Sequence, residues 1–92
     1  MKLRFTPRAI RNLADISDYI KTENPIAATR VRESILASID LLGDFPELGK
    51  SRAVGMRKLI TRKYRYRVYY ATDAEHDEIV ILAIRHPARA GS

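Results

Sequence analysis

Residues 49–70 read GKSRAVGMRKLITRKYRYRVYY, and their pattern predicts paired β-strands with a strongly basic surface. The segment holds eight Lys or Arg residues and no Asp or Glu, which leaves nine basic and 11 acidic residues in the rest of the chain. In its second half, aromatic and apolar residues alternate with mostly cationic ones. Because successive side chains of a strand point to opposite faces, the alternation predicts a core face that includes Tyr64, Tyr66 and Tyr70, backed by a cationic face.

Length and composition predict a single globular domain over residues 1–92. Of the 92 residues, 46% are hydrophobic and 30% are charged, and the formal net charge is +6. No cysteine is present, which excludes disulfides and thiolate metal sites. The longest apolar run, residues 79–84, is far shorter than the roughly 20 residues that span a bilayer. The positive charge favours an anionic partner, and nucleic acid, an acidic protein or an anionic membrane surface would fit.

The N-terminal half predicts a short strand and a helical hairpin. Residues 2–5 form a candidate strand, and Thr6-Pro7 and Asn24-Pro25 are both helix-start signals. After each signal, apolar residues recur every three or four positions, as in amphipathic helices. We expect the first helix to end near residue 21 and the second at Gly43. A connection of only about three residues predicts that the helices pack antiparallel.

The C-terminal half predicts three strands. Residues 44–55 contain Pro46 and two glycines and are expected to be irregular. The unbroken apolar sequence IVILAI predicts a central strand covered on both faces. The predicted strands cover residues 57–61, 64–71 and 78–85, with a tight connection at residues 62 and 63. We therefore predict an α+β fold in the order β-α-α-β-β-β, with the hairpin packed on a small, mostly antiparallel twisted sheet.

The basic strands and one histidine are the candidate functional residues. Guanidinium groups suit phosphate binding, although a solvated outer face is the alternative for these arginines. His86 follows the last strand between Arg85 and Arg89 and is a candidate general acid or base, although a histidine at a strand end is more often structural. His76 lies in the acidic turn DAEHDE, where sequential carboxylates rarely converge on one metal ion. We therefore expect no metal site.

Four phrases of the sequence resemble the RelE/ParE superfamily of toxins from bacterial type II toxin–antitoxin pairs. They are NP-x-AA at residues 24–28, LL-x-x-FPELG at 41–49, YR-x-x-Y at 66–70 and RH-x-x-R at 85–89. The similarity covers about residues 3–89 and is greatest to the ParE-like branch. It implies a helical hairpin on an antiparallel sheet, in agreement with the pattern-based prediction.

The resemblance implies one of two activities. ParE-like members poison DNA gyrase, whereas RelE-like members cut mRNA on the ribosome with basic sheet residues and a C-terminal tyrosine or a histidine. Lys58 and Arg67 match positions of catalytic cations, one nuclease lysine falls on Met56, and His86 would have to replace the missing late tyrosine. Because only charge stabilisation is well supplied, we favour gyrase inhibition. A generic basic nucleic-acid-binding module is a third alternative.

The resemblance also implies the partners of a cytoplasmic toxin. The target is expected to be DNA gyrase, or the ribosome and mRNA in the alternative, with no cofactor, metal or membrane. The predicted target-binding residues are Arg57, Lys58, Arg65, Arg67, Arg85, His86 and Arg89. A ParD-like antitoxin is expected to neutralise the toxin in a hetero-oligomeric complex, with its C-terminal segment on the hairpin and a sheet edge. The predicted antitoxin contacts are Leu13, Ile16, Ile20, Ile35, Ile39, Arg62 and Tyr69.

Overall fold

The protein is an α+β fold in which two helices pack on one face of a five-stranded mixed sheet. The computed structural model describes residues 1–87. Its elements are β1 (Lys2–Phe5), α1 (Pro7–Lys21), α2 (Pro25–Asp40), a 3-10 turn (Leu41–Gly43), β2 (Lys50–Ala53), β3 (Met56–Ile60), β4 (Arg67–Asp73) and β5 (Glu78–Arg85). The strand order is β1-β5-β4-β3-β2, with β1 parallel to β5 and the other neighbours antiparallel. Within residues 1–87, neither helix is long and apolar enough to cross a membrane.

Both helices begin at the predicted start signals. The Thr6 hydroxyl accepts a hydrogen bond from the Ala9 N–H at 3.1 Å, and the Asn24 side chain accepts one from the Ala27 N–H at 3.0 Å. A proline follows each cap, where its missing N–H costs nothing. The apolar stripes of both helices then pack on the sheet and form one core with its inner face. The buried members include Ala9, Leu13, Ile16, Val31, Ile35, Ile39, Val68, Tyr70, Ile79, Ile81 and Ile84.

Two predictions about the central part of the chain were wrong. Residues 44–55 are not irregular throughout, because residues 50–53 form β2, whose four residues are all exposed and therefore lack an alternating pattern. Tyr64 is not a core residue, since it is 39% exposed and lies in the connection before β4. The core positions of Tyr66 and Tyr70 are confirmed, with exposures of 6% and 0%.

A β-bulge in β5 changes the phase of that strand. Tyr69 pairs with Ala83 and Tyr70 pairs with Ile81, so Leu82 is the extra residue. The extra residue shifts the alternation of side chains along the strand. Residues after the bulge therefore point to the opposite face from the one that strict alternation would give them. The interior position of β5 between β1 and β4 is confirmed.

The bulge accounts for part of the unbroken apolar run in β5, because it changes which residues of the strand face the helices. Before it, Ile79 and Ile81 point into the core, and after it Ile84 does so. Arg85 consequently faces away from the helices and lies opposite Arg67 of β4. In the described part of the chain the helices pack on the inner face alone, but Val80 and Ala83 on the outer face are only 9% and 7% exposed, so β5 is buried on both faces as predicted, without a second helical layer.

Helix α1 satisfies the backbone groups around the bulge. The Thr6 hydroxyl donates to the Leu82 carbonyl at 3.0 Å, and the Thr6 N–H donates to the Ile81 carbonyl at 3.1 Å. The Asn12 side-chain oxygen accepts a hydrogen bond from the Ile84 N–H at 3.0 Å. Because buried backbone groups need partners, these contacts fix the start of α1 to the bulged strand.

Asn12→Ala is expected to lower the free energy of unfolding by about 1–3 kcal/mol, because the Ile84 N–H would lose its acceptor in a part-buried place. Asp15→Ala is the control: it lies exposed on the same helix, gains similar helix propensity, and should change the value by less than about 0.5 kcal/mol. Urea unfolding followed by circular dichroism measures both. Equal values for the two variants would contradict this role of Asn12.

Candidate functional site

The sheet face opposite the helices carries an open groove with a volume of about 740 Å³. Strands β3, β4 and β5 and the start of α1 contribute its walls. The lining residues are Thr6, Arg8, Met56, Arg67, Tyr69, Leu82, Ala83 and Arg85. This lining combines an apolar floor with three arginines and contains no histidine, aspartate or glutamate. Such a surface suits an anion that also presents flat or apolar groups.

Arg67 and Arg85 form the most unusual charge arrangement of the groove. They lie directly opposite each other on β4 and β5, where two like charges are unfavourable. The Arg67 Nε donates to the His86 carbonyl at 3.1 Å, which orients its guanidinium group. Two cations on paired positions, one of them oriented by this bond, favour a role in anion binding, since an anion between them would relieve the repulsion.

The structure brings a third predicted cation to the same face. Lys58 pairs with Tyr69, and Tyr69 in turn pairs with Ala83, so these side chains share the outer face with Arg67 and Arg85. The surface therefore brings together three predicted target-binding residues, Lys58, Arg67 and Arg85. Tyr69, a predicted antitoxin contact, is their neighbour there.

Arg57 lies on the opposite face of the sheet from this groove. It pairs with Tyr70, whose side chain is in the core. Its Nη1 donates to the carbonyls of Gly49 at 2.8 Å and Glu47 at 3.4 Å. The Tyr70 hydroxyl accepts from the Gly49 N–H at 2.9 Å and donates to the Pro46 carbonyl at 2.8 Å. Arg57 and Tyr70 together tie residues 46–49 to the sheet, so the structure gives Arg57 a structural contact.

The His86 ring is also turned away from the groove. It packs against Tyr19 of α1 and against Tyr66, with ring centroids 6.0 Å and 5.8 Å apart. Only its backbone carbonyl contacts Arg67. Arg89, the other predicted residue of this tail, lies outside the described residues.

His76 contacts a single carboxylate in the turn between β4 and β5. Its Nδ1 lies 2.8 Å from Asp73 Oδ2, and this side-chain hydrogen bond holds the pKa of Asp73 below its usual value. Among residues 1–87, no three His, Asp or Glu side chains form a group that suits a metal ion.

The predicted tight connection at residues 62 and 63 is instead a six-residue loop, residues 61–66. Its organising residue is Thr61, which the sequence analysis did not single out and which is only 1% exposed. The Thr61 hydroxyl donates to the Lys63 carbonyl at 2.7 Å and accepts from the Tyr66 N–H at 3.0 Å. Tyr64 and Arg65 both have positive φ, 67° and 59°, at a typical cost of about 1–2 kcal/mol per residue. The predicted target residue Arg65 is thus exposed on a strained loop.

Most of the predicted antitoxin contacts are core residues. Leu13, Ile16, Ile35 and Ile39 are at most 8% exposed, and Ile20 packs partly buried against the core. Arg62 is exposed on the loop of residues 61–66. The helices instead present other apolar side chains to solvent, and the largest are Ile10, Tyr19 and Ile26. A partner on the hairpin would meet these exposed residues first.

Comparisons with known proteins agree on one kind of protein. Residues 3–91 match the sequence model of a family described as the ParE toxin of the type II toxin–antitoxin system parDE. The chain is 35% identical over 86 residues to a protein named Toxin RelE2 from Caulobacter vibrioides, covering 92% of this chain and 93% of that protein.

Two solved structures share the fold. The chromosomal ParDE TA system from P. aeruginosa has a TM-score of 0.82 at 23% identity, covering 96% of this chain and 97% of that one. The intact E. coli RelBE toxin–antitoxin complex has a TM-score of 0.72 at 19% identity, covering 96% of this chain and 98% of that one. At these identities the structural likeness supports the fold, whereas the family follows from the sequence matches.

Thr61→Val is expected to lower the free energy of unfolding by about 1–3 kcal/mol, because the buried hydroxyl joins two backbone groups of the loop. The control is Thr72→Val near the end of β4, where the side chain is exposed, and it should change the value by less than about 0.5 kcal/mol. Urea denaturation compares the two, and a Thr61→Val variant as stable as its control would contradict the assigned role.

Proposed function

This chain belongs to the ParE toxin family of type II toxin–antitoxin systems, and on that premise we propose that it binds DNA gyrase, stabilises the cleaved-DNA state of the enzyme and thereby stops replication. The binding surface is the basic groove of the outer sheet face. Its arginines, Arg8, Arg67 and Arg85, come from three different elements and meet in one open groove. A cationic surface of this kind suits an acidic protein surface or DNA.

The orientation of His86 is the observation that carries the choice of gyrase inhibition. Ribosome-dependent RNA cleavage needs a base for the 2′-hydroxyl, an acid for the leaving group and stabilisation of the phosphate charge. The groove supplies the third through its arginines, but the His86 ring packs on Tyr19 and Tyr66 outside it. The site is thus better suited to binding an anion than to moving protons.

RNA cleavage is the second candidate, and two observations favour it. The relative with 35% identity carries the name Toxin RelE2. In addition, Lys58, Tyr69 and Arg67 share the outer face, where a phosphate bound at Arg67 would have an amine and a phenol on neighbouring positions. If this chain cleaves mRNA, Lys58 and Arg67 stabilise the phosphate charge, and His86 has to turn away from its tyrosines to take part.

A cognate antitoxin is the proposed partner of the helical hairpin. The structurally similar proteins are described as a ParDE system and a RelBE toxin–antitoxin complex. On this chain, a shallow groove of about 330 Å³ runs along the hairpin and is mostly apolar. Its lining residues are Phe5, Ile10, Leu13, Ala14, Arg32 and Leu36. An amphipathic helix of the antitoxin, which places apolar side chains every three or four residues, would fit such a groove.

The double variant Arg67→Ala/Arg85→Ala is expected to lose at least about 10-fold in trapped cleaved DNA, which corresponds to about 1.4 kcal/mol of binding. Gyrase supercoiling with detection of cleaved DNA measures this, in parallel with ribosome-programmed mRNA cleavage. The control, Arg11→Ala/Arg30→Ala, removes the same charge from the exposed helix surface and should retain trapping.

His86→Gln separates the two activities. Gyrase trapping should change by less than about 3-fold, whereas an mRNA cleavage that used His86 as acid or base would fall by about 100-fold or more. Cleaved mRNA with normal supercoiling by the unmodified protein would overturn the proposed function and establish the second candidate.

Ile10→Ala is expected to weaken antitoxin binding about 10-fold, because Ile10 is 57% exposed and lines the hairpin groove. Ile26→Ala is the matched control, since Ile26 is 66% exposed and lies outside the lining of that groove. Calorimetric titration of the purified antitoxin into each variant gives the two affinities. An equal loss in both variants would contradict the placement of the antitoxin in this groove.

A further inference from the structure

The loop of residues 61–66 keeps large side chains where the backbone favours glycine. Two consecutive residues with positive φ are usually Gly, Asn or Asp, but here they are Tyr64 and Arg65. Strain of this kind persists where the surrounding structure imposes it, and the buried Thr61 hydroxyl does so by bonding Lys63 and Tyr66. The loop backbone is therefore held in a defined conformation at a cost in stability, and this conformation sets where the exposed side chains leave the surface.

Three side chains of this loop are cationic and accessible to a ligand. Arg62, Lys63 and Arg65 are all exposed, and none of them forms an ion pair with a carboxylate in the described part of the chain. The Lys63 ammonium group lies 5.7 Å from the centroid of the Tyr64 ring, which is itself 39% exposed. The loop thus presents three positive charges and one aromatic surface without a partner that would neutralise the charges.

The loop continues the basic surface of the groove. Strand β4 begins at Arg67, directly after the loop, and Arg67 lies opposite Arg85 at the end of β5. Five cations from the loop and the two strand ends therefore occur at one end of the sheet. A ligand that engages all five must be an extended polyanion, since a single phosphate group contacts only a few of them.

We propose that Arg62, Lys63 and Arg65 bind the phosphate backbone of duplex DNA, so that the toxin contacts the DNA held by gyrase as well as the enzyme. This inference rests on the proposed function for the source of the DNA. Duplex DNA carries one negative charge per about 1.7 Å of its axis, a density that an acidic peptide segment does not sustain over the length of such a surface. The bonded loop backbone suits a stiff duplex, because only the exposed side chains of the loop have to be ordered on binding.

The test measures binding of the purified toxin to a fluorescein-labelled duplex of about 20 base pairs by anisotropy, at salt concentrations from about 50 to 200 mM. The variant Arg62→Ala/Lys63→Ala/Arg65→Ala should lose at least about 10-fold in affinity at the lowest salt. Its plot of log affinity against log salt should be shallower by about 2 to 3, since each phosphate contact contributes about 0.9 to the slope.

The matched control, Arg11→Ala/Lys21→Ala/Arg30→Ala, removes three exposed cations from the helices. It should leave the salt slope within about 0.5 of that of the unmodified protein. An equal change in both variants, the absence of DNA binding, or tighter loop-dependent binding of a single-stranded RNA of the same length would overturn the proposal. A loop variant that lost affinity for the antitoxin but not for DNA would also overturn it.

A single substitution separates binding from loop stability. Arg65→Gly removes one cation and the positive-φ strain together. The salt slope should fall by about 1, whereas the melting temperature should stay the same or rise. A lower melting temperature with an unchanged slope would contradict the role of Arg65. No gyrase is present in these assays, so loop-dependent DNA binding by a toxin that traps no cleaved DNA would contradict the proposed function alone.

Discussion

The β-bulge at Leu82 is the constraint on which both faces of the sheet depend. Without the extra residue, the alternation that sends Ile79 and Ile81 into the core would send Arg85 there as well. A guanidinium group buried under the helices without a partner would cost far more than a bulge does. With the bulge, Ile84 enters the core and Arg85 lies beside Arg67 on the outer face.

The bulge also links the helical layer to the basic groove. Its free backbone groups are bonded by Thr6 and Asn12 of the first helical segment, so the position of α1 and the phase of β5 are set together. Thr6 and Arg8 then line the groove that the strands form on the other side. The start of α1 therefore belongs to the core through its apolar stripe and to the outer face through these two residues. A change that displaces α1 would alter both.

A second constraint holds the edge of the sheet. Gly49 lies so close to β3 and Tyr70 that an added Cβ would be 2.8 Å from the Lys58 carbonyl oxygen and from the Tyr70 ring. Only glycine fits there, and its N–H and carbonyl are bonded by Tyr70 and Arg57. These bonds bring the chain alongside β3 as the fully exposed strand β2.

The parts of the fold with local signals were predictable from the sequence. Thr6-Pro7 and Asn24-Pro25 predict helix starts because capping depends on neighbouring residues, and the inward parity of Val68 and Tyr70 follows from strand geometry. The edge strand β2 was missed because four exposed residues show no alternation. The bulge was missed because an unbroken apolar run hides a change of phase. The placement of Arg57 with the target-binding residues had a different cause. Arg57 has the same parity as the half-buried Leu59, and this parity already indicated the inner face of the sheet.

The candidate surfaces were harder to predict than the core. The helical periodicity identifies Leu13, Ile16, Ile35 and Ile39 as one stripe, but the same stripe is what the sheet buries, and only the packing decides which apolar residues remain exposed. The strained loop of residues 61–66 depends on the hydroxyl of Thr61, whose role follows from its burial and its two hydrogen bonds. No sequence pattern marks such a threonine.

The positions of the two grooves bear on how a toxin of this shape can be neutralised. The hairpin groove and the basic groove lie on opposite faces of the sheet, so a partner confined to the hairpin would leave Arg67 and Arg85 exposed. The two grooves approach each other at the first turn of α1, where Arg8 lines the basic groove and Ile10 lines the hairpin groove. A single segment that crosses this turn reaches both. An antitoxin that places apolar side chains on the hairpin and carboxylates beyond α1 could therefore cover both surfaces with one continuous stretch of chain.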